Sequence, residues 1–404
     1  MKATLGGFLS PRDRSRLKCT FRVIDGALYR SRSGCKPTKP NWQLLSGVLV
    51  SAVARASTRT TQQRLPNVEL RLHQGASALA PGTPALAWCA PSPNVLALPS
   101  PYEADCVYRH RYVFTLAHHL RMIDRGMVAA PTSFPWRQRI AKAVWRGTCT
   151  GRGATQSSRL KIARLGARHP AHLDTVLFPC GVCAPLLKSQ PALFGTSSQG
   201  LVQADYAKYR YVLDLDGDGC SGRLGKLFTS GAVVLKPWTA GYPFLYRALT
   251  PWVHYVPVRP DLSDLIERVA WLQRHDEQAE RIGRTGAAWA KEQLSPQAID
   301  DYIEAIMRAA HELGGPRKWR GLRADPVDDE LLYSPGDARR YAHLNATDHK
   351  GRRLDVICPA SEAAPPLLEV SDAATLAKQY FESAEAALEV ARRGGDLLHY
   401  KRPN

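Results

Sequence analysis

Apolar and polar positions recur at two periods along this chain, and each change of period marks an element. Phe21-Arg-Val-Ile-Asp-Gly-Ala-Leu-Tyr29 alternates in twos on either side of Asp25-Gly26, a pair suited to positive φ, so a β-hairpin is expected there. The apolar run Leu44–Ala54 falls short of the ~20 residues that span a bilayer and reads as a buried helix. Short strands at Val68–Leu72 and Ala85–Trp88 follow, set among Pro81, Pro84, Pro91, Pro93, Pro99 and Pro101.

From residue 136 helix and strand patterns alternate. Tyr209–Leu215 and Ala232–Leu235 have the composition of strands. A glycine-bearing turn and a short helix between them make a βαβ unit, and hence a parallel sheet. Leu262, Leu265, Ile266, Val269 and Leu272 recur at helical spacing, with Asp261 or Ser263 as the N-cap. Ser295-Pro296 opens a further helix that ends before Gly314-Gly315. The remainder is a charged, proline-interrupted stretch with one helix, Ser371–Arg393, closed by Gly394-Gly395. These patterns give an α/β chain of three parts: 17–135, 136–313 and a partly helical extension over 314–404.

Composition narrows the partners. Lys plus Arg number 55 against 36 Asp plus Glu, a net charge of +19 and a pI near 9.7. Such a field attracts phosphorylated ligands, nucleic acid or anionic membranes. No nucleic-acid-binding motif accompanies it, so nucleic acid is not the expected partner. The chain shows no transmembrane segment, and residues 1–18 lack the apolar core of a signal peptide. Nine cysteines leave at least one unpaired within the chain. Cys180-Gly-Val-Cys183 is a single CxxC with no second pair at zinc-finger spacing; chance spacing or a local disulfide explains it.

Two segments carry candidate chemistry. In Ala143-Val-Trp-Arg-Gly-Thr-Cys-Thr-Gly151 a strand runs into a turn whose N–H groups and hydroxyls can cradle phosphate, and Arg159 beyond it can offer a planar fork to a diphosphate. The same pattern also fits an ordinary strand and turn in a basic surface. In Tyr209–Leu224 a strand leads through glycines to a helix expected near Ser221, with Arg223 and Lys226 in or near its first turn, a setting that favours anions. Asp214-Leu-Asp216-Gly-Asp218-Gly219 mimics the front of a calcium loop, but the twelfth position is Gly225 rather than Glu. A metal–nucleotide DxD pair at Asp214 and Asp216 stays open.

Ordered blocks run through both segments: Trp145-Arg-Gly-Thr148, Lys208-Tyr-Arg-Tyr211, Leu215-Asp-Gly with Ser221-x-Arg223, and Leu227-Phe-Thr-Ser-Gly231. They continue as Val233-Val-Leu-Lys236, Pro251-Trp-Val-His-Tyr-Val-Pro-Val258, Asp261-Leu-Ser-Asp-Leu265 and His275-Asp276. In these the chain resembles the Rumi-type protein O-glucosyltransferases, a family that includes KDEL-motif-containing proteins and fungal capsule-associated xylosyltransferases. The resemblance implies a GT-B glycosyltransferase with two Rossmann-like lobes and a cleft between them. The C-terminal lobe would bind the UDP-sugar; the N-terminal lobe would supply the base and acceptor groove. It implies inverting transfer of glucose or xylose to a hydroxyl of a protein or glycan. No cofactor beyond the donor and no metal are expected, and the address would be the endoplasmic reticulum or Golgi lumen, or the cytoplasm if no signal peptide precedes the chain. Donor contacts would fall on Thr148, Arg159, Asp218, Gly219, Cys220, Ser221 and Arg223.

Two positions depart from the family. Ala76 stands where the base Asp is expected; His73, three residues earlier, can take a proton, although an ordinary strand role suits it equally. Pro243 stands where an acid commonly precedes the Phe244-Leu-Tyr246 block. The alternative to an active enzyme is therefore a non-catalytic UDP-sugar binder that has lost its base.

Overall fold

The computed structural model describes residues 19–32, 40–57, 65–72, 86–87, 96–97, 107–108, 133–150, 157–180, 183–201, 203–217, 220–237, 248–314, 321–335, 344–347 and 353–357. By their contacts the chain divides into two compact units. One takes residues 1–118, 242–247 and 294–404, and the other takes 119–241 and 248–293.

The first unit opens with the expected hairpin, β1 (Cys19–Ile24) and β2 (Ala27–Ser31), with Ile24 opposite Ala27. Asp25 and Gly26 both take positive φ, 50° and 80°, which matches the turn to the right-handed twist of the strands. Phe21, Val23 and Leu28 point inward and are fully buried. The apolar run lies in helix α1 (Pro40–Ser57), where Leu49, Val50, Ala52, Val53 and Ala54 are buried. Strand β3 (Val68–Leu72) pairs antiparallel with β1, and β4 (Leu86–Ala87) and β5 (Leu96–Ala97) extend the sheet in parallel. A short strand, β6 (Val107–Tyr108), belongs to a separate sheet.

The second unit is a five-stranded parallel sheet. Its elements are β7 (Ile140–Thr148), α2 (Ser158–Arg168), β8 (Leu173–Phe178), α3 (Ala184–Ser189), β9 (Tyr209–Leu213), α4 (Leu224–Phe228), β10 (Val233–Pro237), β11 (Val256–Val258), α5 (Leu265–Arg274) and α6 (Asp276–Gln293). The strand order is β11-β10-β9-β7-β8, all neighbours parallel. Trp145, Tyr211, Val233, Leu235 and Val256 form its fully buried centre. Gly286 lets α6 lie close: a Cβ there would sit 2.6 Å from the His254 carbonyl oxygen. The N-cap of α5 is Asp264, not Asp261 or Ser263, and it makes no side-chain cap. Its carboxylate accepts instead from the Arg259 amide at 2.8 Å and from Arg268 Nε at 3.1 Å.

The chain then returns to the first unit. Helix α7 (Pro296–Gly314) starts where Ser295-Pro296 predicts, with the Ser295 hydroxyl accepting from the Ala298 amide at 3.2 Å. Arg55 on α1 pairs with Asp300 on α7 at 2.5 Å. Strand β12 (Asp329–Tyr333) pairs antiparallel with β2 and becomes the edge of a six-stranded sheet. Arg22 clamps it by donating to both Asp329 oxygens at 2.7 and 2.6 Å. The contacts therefore fold 294–335 back onto the N-terminal part, whereas the sequence divides the chain at 135 and 313. Strands β13 (Leu344–Thr347) and β14 (Arg353–Ile357) complete a three-stranded antiparallel sheet with β6. The helix expected over Ser371–Arg393 lies outside the described residues. The chain is of the α/β class, as the alternating periods indicate.

Candidate functional site

The strand order of the second unit selects a location before any side chain is considered. The chain starts at β7, crosses to β8 on one side, and then crosses to β9 on the other. Such a reversal opens a crevice beyond the C-terminal ends of the two central strands, where ligands of open α/β sheets bind. Here those ends are Thr148 on β7 and Leu213 on β9. Both candidate segments of the sequence thus converge on the switch point.

The Trp-Arg-Gly-Thr block builds the β7 side. Trp145 is fully buried, and a Cβ on Gly147 would come within 2.6 Å of its ring, so glycine lets the indole fold along its own strand. Arg146 ties β7 to β8 by pairing with Asp174 Oδ1 at 2.9 Å and donating to the Asp174 carbonyl at 2.8 Å. Ser157 caps α2 through its side chain, which places Arg159 in the first turn facing the strand ends. There Arg159 donates to Thr150 Oγ1 at 2.7 Å, to the Thr148 carbonyl at 3.2 Å, to the Leu215 carbonyl at 3.2 Å and, through Nε, to the Asp216 carbonyl at 2.9 Å. The expected free fork is thus a clamp joining the exits of β7 and β9. Gly217 permits it: a Cβ would lie 3.0 Å from Arg159 Nη2 and 3.1 Å from Thr150 Oγ1.

A buried ion cluster builds the β9 side. Lys236, the polar residue that ends the apolar Val233–Leu235 run, is 1% exposed and its ammonium lies 2.8 Å from Asp214 Oδ2 and 2.7 Å from Asp216 Oδ1. Ser221 closes the loop by donating its hydroxyl to Asp214 Oδ1 at 2.5 Å and its amide to Asp216 Oδ1 at 2.9 Å. Burial pushes the Asp214 carboxyl up, but the charges of Lys236 and Arg223 and the hydrogen bonds from Lys236 and Ser221 outweigh it, so Asp214 is held below the usual carboxylate range. Lys236 moves the other way: burial lowers it, the two aspartates raise it further, and the ammonium is retained. The DxD pair therefore already grips a cation, the lysine itself, which any divalent ion would have to displace.

Arg223 stands at the start of the short helix, as expected. Helix α4 begins at Leu224 and has only five residues, so it offers no developed dipole, and Arg223 is its N-cap. Its Nη1 donates to the Arg146 carbonyl at 2.6 Å. Its Nη2 is buried and has no hydrogen-bond partner among the described residues. A charged donor left in that state calls for an acceptor.

A model of the glycosyl transferase family 90 matches residues 115–316, half of the chain and the whole of this site. The chain belongs to glycosyl transferase family 90. Among the relatives of this family 90 chain, protein O-glucosyltransferase 2 of Danio rerio is 31% identical over 191 residues, which cover 47% of this chain and 36% of that protein. Protein O-glucosyltransferase 3 of Rattus norvegicus is 24% identical over 327 residues, 77% of this chain and 58% of that one. The chain thus spans between about a third and three fifths of the length of these relatives. A solved structure of Anabaena HepE with UDP-glucose is 14% identical over 42% of this chain and 49% of that one, at a TM-score of 0.32.

The remaining family 90 expectations are placed as follows. Thr148, Arg159, Ser221 and Arg223 come together at the switch point, Cys220 adjoins them and is disulfide-bonded, and Asp218 and Gly219 lie outside the described residues. His73, Ala76 and Pro243 also lie outside them. His254 is structural: its Nδ1 accepts from the Thr250 amide at 2.9 Å, and burial lowers its pKa. Cys183 forms a disulfide, but with Cys149 rather than with Cys180. The spacing concealed this partner because it lies 34 residues upstream. Sequence reasoning also passed over Lys236, although a lysine closing an apolar buried run was a signal that a carboxylate waits inside.

Proposed function

We propose that this family 90 chain is a glycosyltransferase that takes a UDP-sugar donor and moves glucose or xylose to a hydroxyl of a protein or glycan. The observation that carries the donor assignment is the buried Nη2 of Arg223 at the sheet's switch point, which has no hydrogen-bond partner among the described residues. A diphosphate oxygen would satisfy that donor with a charge-assisted bond. Arg159 then acts as a positioning residue that holds the exits of β7 and β9 at fixed spacing. Lys236 neutralises Asp214 and Asp216, so in this proposal the positive charge offered to the diphosphate comes from Arg223 and Arg159 without a metal.

The reaction we propose is a single inverting displacement. A base removes the proton from the acceptor hydroxyl, the oxygen attacks the anomeric carbon, and the bond from that carbon to the diphosphate breaks. Negative charge grows on the departing UDP, where Arg223 stabilises it. The N-terminal part, 17–135, carries the base and acceptor groove in this proposal, and His73 is the candidate for the proton. The lumenal address fits the disulfide bonding of Cys19, Cys149, Cys183 and Cys220.

A second possibility, a donor binder without turnover, is favoured by Ala76 at the expected base position. An assay of UDP release from UDP-glucose and UDP-xylose, with and without EDTA, separates the two. Release unaffected by EDTA and abolished by His73→Ala supports the transferase with a substitute base. UDP binding without release across a panel of acceptors supports the binder.

A further inference from the structure

Beside the donor site lies a three-sulfur cluster that glycosyl transfer does not use. Cys149 leaves β7 and Cys183 immediately precedes α3; they are disulfide-bonded, with Cα atoms 6.2 Å apart, and both are fully buried. Cys180 is the third member, its sulfur 3.3 Å from Cys149 Sγ and 3.1 Å from Cys183 Sγ. The near-equal distances put Cys180 beside the S–S bond, not along its axis, where an exchanging thiolate would have to stand. Three sulfurs thus converge on a common point rather than forming a line for exchange. All three lie within 4.8 Å of one another.

The backbone around them is shaped for thiolates. The Cys183 amide donates to the Cys180 carbonyl at 3.0 Å. The Cys180 amide donates to Cys183 Sγ at 3.1 Å. Such N–H···S bonds favour the charged form of sulfur. Cys180 and Cys183, with Cys149 from the adjoining strand end, provide three ligands of a tetrahedral site. Tetrahedral thiolate ligands at ~2.3 Å from zinc stand ~3.8 Å apart. Cys180 already lies 3.3 and 3.1 Å from its two neighbours, and Cys149 and Cys183 must spread from bonding distance to that spacing once the disulfide is gone.

We propose that reduction of the Cys149–Cys183 bond converts Cys149, Cys180 and Cys183 into a three-thiolate site for a soft divalent cation of the zinc type, with water in the fourth position. A dithiol or phosphine supplies two electrons, two protons are taken up, and the S–S bond becomes two thiols. The cation then displaces one proton from each of three thiols. A disulfide-bearing oxidant reverses this: it accepts two electrons, Cys149 and Cys183 rejoin, and the cation leaves. The two states are exclusive because the same sulfurs serve both. The site is separate from the donor pocket and does not rest on the glycosyltransferase proposal. It bears on the pocket only because Cys149 sits between Thr148 and Thr150, both partners of Arg159.

The test uses the full chain reduced with a phosphine and freed of reductant without air, with cobalt and then zinc as probes. One equivalent of cobalt should give the thiolate charge-transfer and visible bands of a tetrahedral site, and zinc should bleach them. The unreduced chain and reduced Cys180→Ser should show neither, while reduced Cys358→Ser should match wild type. The Cys180→Ser chain keeps Cys149 and Cys183, so its fold is checked by circular dichroism in the oxidised state. A second measurement needs no variant: zinc should protect these three cysteines from alkylation, as mapped by peptide mass spectrometry. Absence of a tetrahedral cobalt spectrum in the reduced chain, an unchanged spectrum in Cys180→Ser, or protection at other cysteines would overturn the proposal.

Discussion

Lys236 Nζ stands 2.8 Å from Asp214 Oδ2, and the two side chains are 1% and 0% exposed. An ion pair this deep does not stabilise a fold merely by existing, since desolvating both charges offsets their attraction. Its importance lies in what happens when one partner goes. Lys236→Ala leaves Asp214 buried and uncompensated, and should cost about 3–5 kcal/mol of stability. Urea unfolding of the variant against wild type measures this. A loss below about 1 kcal/mol would mean that the 214–216 loop is open to water.

The same pair sets a pH window. The Asp214 pKa is lowered in the fold, so its contribution is fully present above the ordinary carboxylate value of 3.8 and is lost as pH falls through the depressed value. The Lys236 pKa is raised, so its contribution is fully present below 10.5 and is lost as pH rises through the elevated value. Thermal unfolding between these limits should show no transition attributable to the pair, with losses beyond each end. In Lys236→Met with Asp214→Asn the pair's share of both losses should vanish.

Gly147 is held to glycine by the Trp145 ring, 2.6 Å from where a Cβ would stand. Gly147→Ala should therefore strain the end of β7 by about 1–3 kcal/mol, the usual range for overpacking. A melting temperature equal to wild type would show that the indole can swing aside.

Arg159 bridges two strand exits through four acceptors, and lysine cannot reproduce that fork. Arg159→Lys should lower stability and UDP affinity together, each by about 1.5–3 kcal/mol. Calorimetry and unfolding on the same preparation read both. Lost affinity with unchanged stability would make Arg159 a direct ligand instead of a positioning residue.

Much of this was legible in the sequence because local chemistry dictates it. Asp25-Gly26 specifies its turn, Ser295-Pro296 its helix start, and the paired runs at 209 and 232 a parallel sheet. What stayed hidden depends on distant partners. Nothing near Arg159 in the chain says that its guanidinium closes on the 215 and 216 carbonyls. Nothing near Cys183 points to Cys149, nor does the tail after 313 announce that Asp329 will meet Arg22. The Asp214-x-Asp216 pair misleads for the same reason: its cation is a lysine from the next strand. Trp-Arg-Gly-Thr could be located from sequence, but its division into an indole anchor, a strand tie and a clamp acceptor could not.

The most direct test of the donor site is calorimetric titration of UDP into the wild-type chain and into Arg223→Ala. If the unpartnered guanidinium nitrogen receives the diphosphate, wild type binds UDP and the variant loses about 1.5–3 kcal/mol, roughly ten- to more than a hundredfold in affinity. Equal affinity in the two chains, or no UDP binding by wild type, would contradict a donor site at the β7–β9 switch point.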